Sequence, residues 1–192
     1  MGRIVVTEFV SLDGVMEDPG GAEGFEHAGW TFRFNRGDEG DRFKLDELKG
    51  SEAQLLGRTT YEAFAQAWPT MEDPVGFADL MNAMPKYVVS TTLRDEDATW
   101  NNSTVIRGDV VGEVTALKER VQGDVLVAGS ATLVQSLLEH RLVDELRLMV
   151  FPIVLGTGKR LFGKVSEPPV LVLDKVETVG EGIVVLTYRD GR

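Results

Sequence analysis

The stretch that most constrains the fold is Asp124–Lys159, where two apolar runs flank a glycine turn and a helical pattern. The first run covers Val125–Ala128 and the second Leu146–Val150. Gly129 follows the first run, and apolar residues then recur at helical spacing. These are Leu133, Val134, Leu137 and Leu138. This order is typical of a strand–helix–strand unit. Its glycine lets backbone N–H groups approach a phosphate, although glycine also serves in tight turns that bind nothing.

Apolar runs elsewhere predict further strands of an α/β fold. They lie at Arg3–Val10, Ala53–Leu56, Tyr87–Ser90, Thr104–Ile106, Val170–Val179 and Ile183–Arg189. Helical periodicity predicts helices over Asp38–Lys49, Tyr61–Trp68, Phe77–Met84 and Asp109–Val121. The last two strands are joined across Gly180-Glu181-Gly182, which predicts a hairpin. The polar, glycine-rich stretch Met16–Gly37 carries several aromatic residues, so we expect a packed lid. Because the sequence has no internal repeat or linker, we expect residues 1–192 to form one domain.

Composition and charge exclude several classes of function. The net charge is −11, so the chain would repel the phosphates of a nucleic acid. There is no cysteine, which excludes disulfides and thiolate metal sites and favours a reducing compartment. Apolar stretches are too short to span a membrane, and the N-terminus lacks a signal-peptide pattern. We therefore expect a cytoplasmic protein that binds neither nucleic acid nor membrane.

Two kinds of familiar motif are incomplete in this sequence. Gly156-Thr157-Gly158-Lys159 looks like part of a P-loop, but Ile153 and Arg160 stand where a glycine and a hydroxyl residue are required. The two histidines, His27 and His140, lie far apart in sequence. We therefore predict neither a P-loop nor a metal site.

Three strand-end turns carry small, hydroxyl-bearing or basic side chains. They are Gly57-Arg58-Thr59, Ser90-Thr91-Thr92 and Gly129-Ser130-Ala131-Thr132. Ligands of open α/β sheets bind outside the carboxyl ends of the strands, so these turns fit a dinucleotide. Arg58 would pair with a 2′-phosphate through its planar guanidinium. The alternative is that the threonines are helix caps and turn residues.

Two longer stretches contain these turns, Leu55–Phe64 (LLGRTTYEAF) and Val125–Leu138 (VLVAGSATLVQSLL). The first is similar to the glycine–arginine–threonine turn of the dihydrofolate reductase-like family. The second is similar to that family's glycine-pair turn, with Ser130 replacing the second glycine. Leu142–Phe162 and Ser11–Gly14 are more similar to the reductase domain of bacterial riboflavin biosynthesis and to related dihydrofolate reductase family proteins. The resemblance covers nearly the whole chain. It implies a three-layer α/β/α fold with a mixed, mostly parallel sheet of about eight strands.

The resemblance also implies an NADPH site across the strand ends. It assigns Gly57–Thr59 to the adenosine side and the pyrophosphate, and Ser90–Thr92 to the 2′-phosphate and adenine. It assigns Gly129–Thr132 to the pyrophosphate near the nicotinamide. The cofactor expected on this basis is NADPH.

On the substrate side the resemblance is weaker. Dihydrofolate reductase binds its pterin through a carboxylate on the first helix, and Asp41 falls at the matching offset from the Gly57 turn. The threonine that supports that carboxylate corresponds here to Met149, which cannot donate a proton. We therefore expect a substrate other than dihydrofolate. Asp41 and Asp13 are the candidate general acids, and Asp13 alternatively caps a turn.

Together these features predict an NADPH-dependent oxidoreductase. It would transfer hydride to a small heterocycle similar to a pterin, a pyrimidine or a flavin precursor. The alternative is a non-catalytic protein that sequesters a nucleotide or a pterin. The long apolar strands at the C-terminus also predict a homodimer.

Overall fold

The computed structural model describes residues 1–191, which form one eight-stranded sheet flanked by helices. The strands are β1 (Arg3–Ser11), β2 (Ser51–Gly57), β3 (Lys86–Val89), β4 (Ser103–Ile106), β5 (Asp124–Ala128), β6 (Glu145–Phe151), β7 (Leu171–Val179) and β8 (Ile183–Asp190). The α-helices are α1 (Gly37–Lys49), α2 (Arg58–Ala67), α3 (Phe77–Ala83), α4 (Val110–Arg120) and α5 (Ala131–Glu139). The predicted α/β fold class is confirmed. Helix α2 begins earlier than predicted, because Arg58 and the two threonines after it form its first turn.

The sheet is mixed and mostly parallel. Its strand order is β4-β3-β2-β5-β1-β6-β8-β7. Strands β1 to β6 pair in parallel, whereas β8 runs antiparallel to both β6 and β7. The adjacent strands β3, β2 and β5 bring their carboxyl ends to one edge, so the three predicted turns become neighbours.

Strand β1 lies at the centre of the sheet and contributes to the core on both faces. Ile4 and Val6 belong to the apolar cluster beneath α4 and α5. Val5 belongs to the cluster on the opposite face, which includes Leu48 of α1 and Tyr61 of α2. This alternation follows from the two-residue period of a strand, and it confirms the three layers.

The segment between β1 and α1 is packed against the body of the protein, as a lid would be. Trp30 is fully buried, and its indole N–H donates to the carbonyl of Glu17 at 2.9 Å. Its ring meets Phe151 of β6 edge-on, with the centroids 5.3 Å apart. The Asp18 carboxylate accepts the N–H groups of Ala22 and Phe25 and so fixes the bend of the segment.

The β7–β8 hairpin closes the sheet on the side away from the three turns. Strand β7 forms the edge and exposes Val172, Leu173 and Val176, each to about half of its full area. Within residues 1–191, no helix is both long and apolar enough to cross a membrane.

Candidate functional site

The turns after β2 and β5 touch at the carboxyl edge of the sheet. A Cβ atom placed on Gly57 would overlap the hydroxyl group of Ser130. Only glycine therefore fits at this point, and it lets the first residues of α2 and α5 lie side by side. The structure thus brings together two of the three predicted turns.

Helices α2 and α5 both begin without a side-chain cap. Gly57 and Ser130 precede them and make no capping hydrogen bond. In contrast, Asp109 accepts the Gly112 N–H at the start of α4, and Asp73 accepts the Phe77 and Ala78 N–H groups at the start of α3. No side chain of residues 1–191 accepts from the first-turn N–H groups of α2 or α5. Two neighbouring helix N-termini with free N–H groups carry partial positive charge and are able to accept an anion.

The third turn joins this pair through Arg58. Its guanidinium donates to Thr92 Oγ1 at 2.6 Å and forms an ion pair with Glu62 at 2.8 Å. The Ser90 hydroxyl accepts the N–H groups of Thr92 and Leu93, so it shapes the turn after β3. Because Arg58 is about 45% exposed, its charge remains accessible beside the two helix N-termini.

The remaining predicted cofactor residues lie at the same edge of the sheet but differ in their exposure to solvent. Thr59, Thr91 and Thr132 are exposed, and Ala131 is half-buried. Gly129 has φ of +75°, and a Cβ there would lie 2.6 Å from Thr60 Oγ1. Glycine at this position is therefore required by packing against α2, as well as by its backbone conformation.

The N–H group of Gly129 is already used inside the protein. It donates to Oε2 of Glu8, a β1 residue, at 3.2 Å. Glu8 is buried, and its other oxygen Oε1 has no hydrogen-bond partner within the described chain. Burial raises the pKa of Glu8 to about 8, while the Gly129 N–H and the charge of Lys44 oppose this shift. Glu8 is therefore largely a neutral carboxylic acid at pH 7.

Asp13, one of the two predicted general acids, fixes the loop after β6. Its carboxylate accepts the Ser11 hydroxyl at 2.7 Å and the N–H groups of Leu155 and Gly156 at 3.1 and 2.9 Å. These hydrogen bonds, that from Ser11 above all, lower the pKa of Asp13 to about 2. A carboxylate that is ionised at neutral pH carries no proton to donate, so the arrangement matches the alternative role of turn cap.

Asp41, the other predicted acid, lies on the outer side of α1. It forms an ion pair with Arg36 at 2.8 Å and is about 65% exposed. Helix α1 instead turns Glu47 toward the sheet, where this carboxylate accepts Thr7 Oγ1 at 3.0 Å and Lys44 Nζ at 2.6 Å. No described contact joins Asp41 to the three strand-end turns. Its catalytic role stays a prediction.

Met149 lies in an apolar cluster beneath α1. It is buried together with Trp30 and Phe151, and Phe9 and Phe43 pack against the same cluster. The absence of a hydroxyl group at position 149 is thus matched by an apolar environment.

The predicted site omitted three acidic residues that shape it. The only indication of a special role for Glu8 in the sequence is that it is an acidic residue in an otherwise apolar strand. Glu62 follows Arg58 by four residues, the spacing of a helical ion pair. Glu47 lies where the helical period of α1 faces the sheet. Among residues 1–191, no group of three or more acidic or histidine side chains could hold a metal ion.

The sheet order and the three adjoining turns define a dihydrofolate reductase-like α/β protein. Dihydrofolate reductase from Enterococcus faecalis, solved with NADP(H), has the same fold with a TM-score of 0.56 and 16% identity, covering 99% of this chain and 97% of its own. A Shewanella sp. PV-4 protein assigned to riboflavin biosynthesis is more similar, with a TM-score of 0.80 and 21% identity over 99% of each chain.

Two sequence comparisons identify the family. The family model described as the RibD C-terminal domain matches residues 3–185. The uncharacterized protein YyaP of Bacillus subtilis (strain 168) is 30% identical over 189 residues, which cover 97% of this chain and 94% of YyaP. The chain therefore belongs to the RibD C-terminal domain family.

Proposed function

We propose that this protein is an NADPH-dependent reductase of a small heterocyclic compound. The observation that carries the proposal is the pair of uncapped helix N-termini, α2 and α5, in contact at Gly57 and Ser130. Similarity to known proteins supports the reductase reaction, because a Shewanella protein of this fold is assigned to riboflavin biosynthesis and the related fold of dihydrofolate reductase holds NADP(H) in the Enterococcus enzyme.

The residues present fit a phosphorylated dinucleotide. The first-turn N–H groups of α5 would hold the pyrophosphate, since Ser130 leaves them unoccupied. Arg58 would hold the 2′-phosphate, with Thr92 orienting its guanidinium. Ser90 would act through the shape of its turn, because its hydroxyl group already accepts two N–H groups.

Bound NADPH would supply the hydride, and the protein would supply position and a dry environment. The packed lid between β1 and α1 places Trp30 against Phe151 of β6, beneath α1, where the two rings exclude water. Lys44 and Arg36 lie 5.1 and 5.6 Å from the Phe9 ring centroid, so cationic groups border the same region. This region between the lid, α1 and the ends of β1 and β6 is the proposed substrate side.

We propose a pterin-, pyrimidine- or flavin-precursor-like substrate rather than dihydrofolate. Flat heterocycles suit a region lined by aromatic rings, and Met149 offers no hydroxyl group to support a pterin-binding carboxylate. The alternative, a protein that sequesters such a ligand without turnover, uses the same contacts.

The test has two stages. NADPH is first titrated into the protein by fluorescence, with Arg58→Gln as the site variant and Arg189→Gln as the control. Arg189 is a matched control because it is an exposed arginine paired with Asp174 on the β7–β8 hairpin, away from the three turns. The wild type and the control should bind NADPH, and Arg58→Gln should bind it at least tenfold more weakly.

In the second stage, pterins, pyrimidines and flavin precursors are screened for oxidation of bound NADPH. Multiple turnovers with one of them support the reductase. Tight binding of a heterocycle together with unoxidised NADPH supports sequestration instead. If NADPH does not bind to the wild type, the proposal is wrong.

Three further expectations belong to this proposal. Residues 1–192 would act as one domain. The protein would work in the cytoplasm, because a chain without cysteine suits a reducing compartment.

A homodimer would form through the exposed apolar residues of β7, among them Val172 and Val176. Analytical ultracentrifugation of the wild type and of a Val176→Lys variant tests the dimer.

A further inference from the structure

Glu8 occupies an unusual position for an acidic residue. It lies on the central strand β1, is 5% exposed, and reaches the turn after β5 through the N–H group of Gly129 at 3.2 Å. Its second oxygen is buried without a partner inside residues 1–191. A buried polar group without a partner is costly, and such groups in native proteins mark functional sites often enough to require an explanation.

Few charged groups act on Glu8, and its carboxyl group faces the Gly129 turn. Helix α1 contributes Lys44 and Glu47, whose charges act on Glu8 with opposite sign. The neighbouring strand β6 places the apolar Leu148 opposite Glu8. The turn after β5 contributes the Gly129 N–H, which points at the carboxyl group rather than at an external anion. Glu8 and any anion held by α5 therefore share one short turn.

We propose that Glu8 is a positioning residue that must be uncharged when an anionic ligand binds at the Gly129 turn, so that binding is coupled to uptake of a proton by Glu8. This inference rests on the proposed function, because the anionic ligand is the pyrophosphate of the dinucleotide. It adds the residue that sets the pH range in which the site accepts such a ligand.

The physical reason is repulsion between like charges in a buried setting. If Glu8 were ionised, its negative charge would lie beside the helix N-terminus and cancel much of the positive potential that attracts a phosphate. Protonation removes that charge and leaves Oε2 able to accept the Gly129 N–H. By linkage, a bound anion raises the proton affinity of Glu8 by the same factor by which ionised Glu8 weakens the anion.

The pH range follows from the ligand-free state. Burial raises the pKa of Glu8 to about 8, so the carboxyl group is mostly neutral below pH 7 and mostly ionised above pH 9. Affinity should begin to fall between about pH 7 and pH 8, and it should fall by up to about tenfold for each pH unit above 8. At pH 8, where half of the ligand-free molecules are ionised, binding should take up about half a proton per ligand.

Isothermal titration calorimetry with NADPH tests this inference. Titrations at pH 8 in buffers of different ionisation enthalpy give the number of protons taken up for each ligand. The wild type should take up about half a proton, and Glu8→Gln should take up none, because glutamine has the size and hydrogen-bonding groups of the neutral acid but cannot ionise. The variant should also keep its affinity between pH 8 and 9.5.

Two further variants separate this role from a structural one. Glu23→Gln is the control, since the pKa of this lid carboxyl group is also raised by desolvation, but Glu23 is exposed and makes no described contact with the Gly129 turn; it should keep the proton uptake. Lys44→Gln removes the cation that favours ionised Glu8, so the fall in affinity should begin at a higher pH. A purely structural role of Glu8 would not produce this shift.

The outcomes distinguish this inference from the proposed function. If the wild type binds NADPH without proton uptake at pH 8 and with constant affinity up to pH 9.5, the inference is wrong and the proposed function stands. If Glu8→Gln does not fold, the wild-type uptake and the Lys44→Gln shift still decide the question. If the wild type does not bind NADPH at any pH, both are wrong.

Discussion

The guanidinium group of Arg58 donates to Thr92 Oγ1 at 2.6 Å and so connects the turn after β2 with the turn after β3. The same group also pairs with Glu62 at 2.8 Å, on the next turn of α2. Arg58 is thus held in place from two sides before any ligand arrives, which lowers the entropy that a phosphate contact would cost.

The first prediction concerns cofactor preference. We expect the wild type to bind NADPH about tenfold to a hundredfold more tightly than NADH, since a charge-assisted contact contributes roughly 1.5–3 kcal/mol. Arg58→Gln should reduce the preference to less than threefold, and Glu62→Gln, which frees the guanidinium, should increase it. Fluorescence titrations of both cofactors at one salt concentration provide the measurement. Equal affinities of the wild type for the two cofactors would contradict the assignment of Arg58.

The second prediction concerns the packing of Gly129. We expect Gly129→Ala to lower the free energy of unfolding by about 2–5 kcal/mol, because a side chain is strained at φ of +75° and its Cβ would lie 2.6 Å from Thr60 Oγ1. Gly108→Ala is the control, since Gly108 has φ of +78° but no described atom within 4 Å of the added Cβ. Its loss should be only about 1–2 kcal/mol. Equal losses in urea denaturation would show that Thr60 does not restrict the turn.

The third prediction concerns the pH dependence of stability. The pKa of Glu8 is raised from an ordinary 4.5 to about 8, so the folded protein binds more protons than the unfolded chain between these values. The contribution of Glu8 to the free energy of unfolding is therefore complete below pH 4.5 and is lost as the pH rises through 8. The loss is on the order of a few kcal/mol. We expect the free energy of unfolding of Glu8→Gln to increase relative to that of the wild type between pH 5 and pH 8, because only the wild type loses the contribution of a neutral Glu8. Urea denaturation curves that change in parallel for the two proteins would contradict it.

The fourth prediction concerns Asp13. We expect Asp13→Asn to accelerate proteolysis of the segment 153–160, because the carboxylate holds the N–H groups of Leu155 and Gly156. The pH profile of turnover between pH 6 and 8 should keep its shape, since the pKa of Asp13 is about 2 and the group is ionised throughout. Asp95→Asn, at an exposed ion pair with Arg107, is the control for loss of charge. If the pH profile of turnover of Asp13→Asn no longer showed the titration of a general acid, Asp13 would be the proton donor.

The fifth prediction concerns the substrate. We expect dihydrofolate-dependent oxidation of NADPH to have a kcat/KM below about 10⁴ M⁻¹s⁻¹, the lower end of the usual enzyme range. The reasons are the apolar surroundings of Met149 and the exposed position of Asp41, which leave a pterin without the paired carboxylate and hydroxyl group. The assay requires a dihydrofolate reductase as its positive control. A higher efficiency would show that another carboxylate replaces Asp41.

The elements of the fold could be predicted from the sequence because each has a local signal. The apolar run at Val125–Ala128, the turn at Gly129 and the helical spacing that follows need no information from the rest of the chain. The strand order could not be read in this way. Pairing of Arg3 with Asp124 and of Val5 with Glu145 joins residues more than a hundred positions apart, and no local pattern specifies such partners.

The sequence predicted the three strand-end turns of the site, but it did not predict the positions of the acidic side chains around them. Asp41 was selected by its offset from Gly57, but the face of α1 that meets the sheet carries Gly40 and Glu47, so Asp41 points outward. The proton-bearing state of Glu8 depends on its burial between β5 and β6. Burial is a property of the assembled sheet, and it cannot be read from a single acidic letter in an apolar strand.

The central position of β1 also determines when the molecule can form during synthesis. Strand β1 pairs with β5 and β6, whose residues follow more than a hundred positions later in the chain. At about 5–20 residues per second, β1 must wait several seconds for its partners, with Ile4, Val5 and Val6 exposed in the meantime. The nascent chain therefore passes through an interval in which its central strand is accessible to chaperones, and β1 is paired on both sides only after β6 has been synthesised.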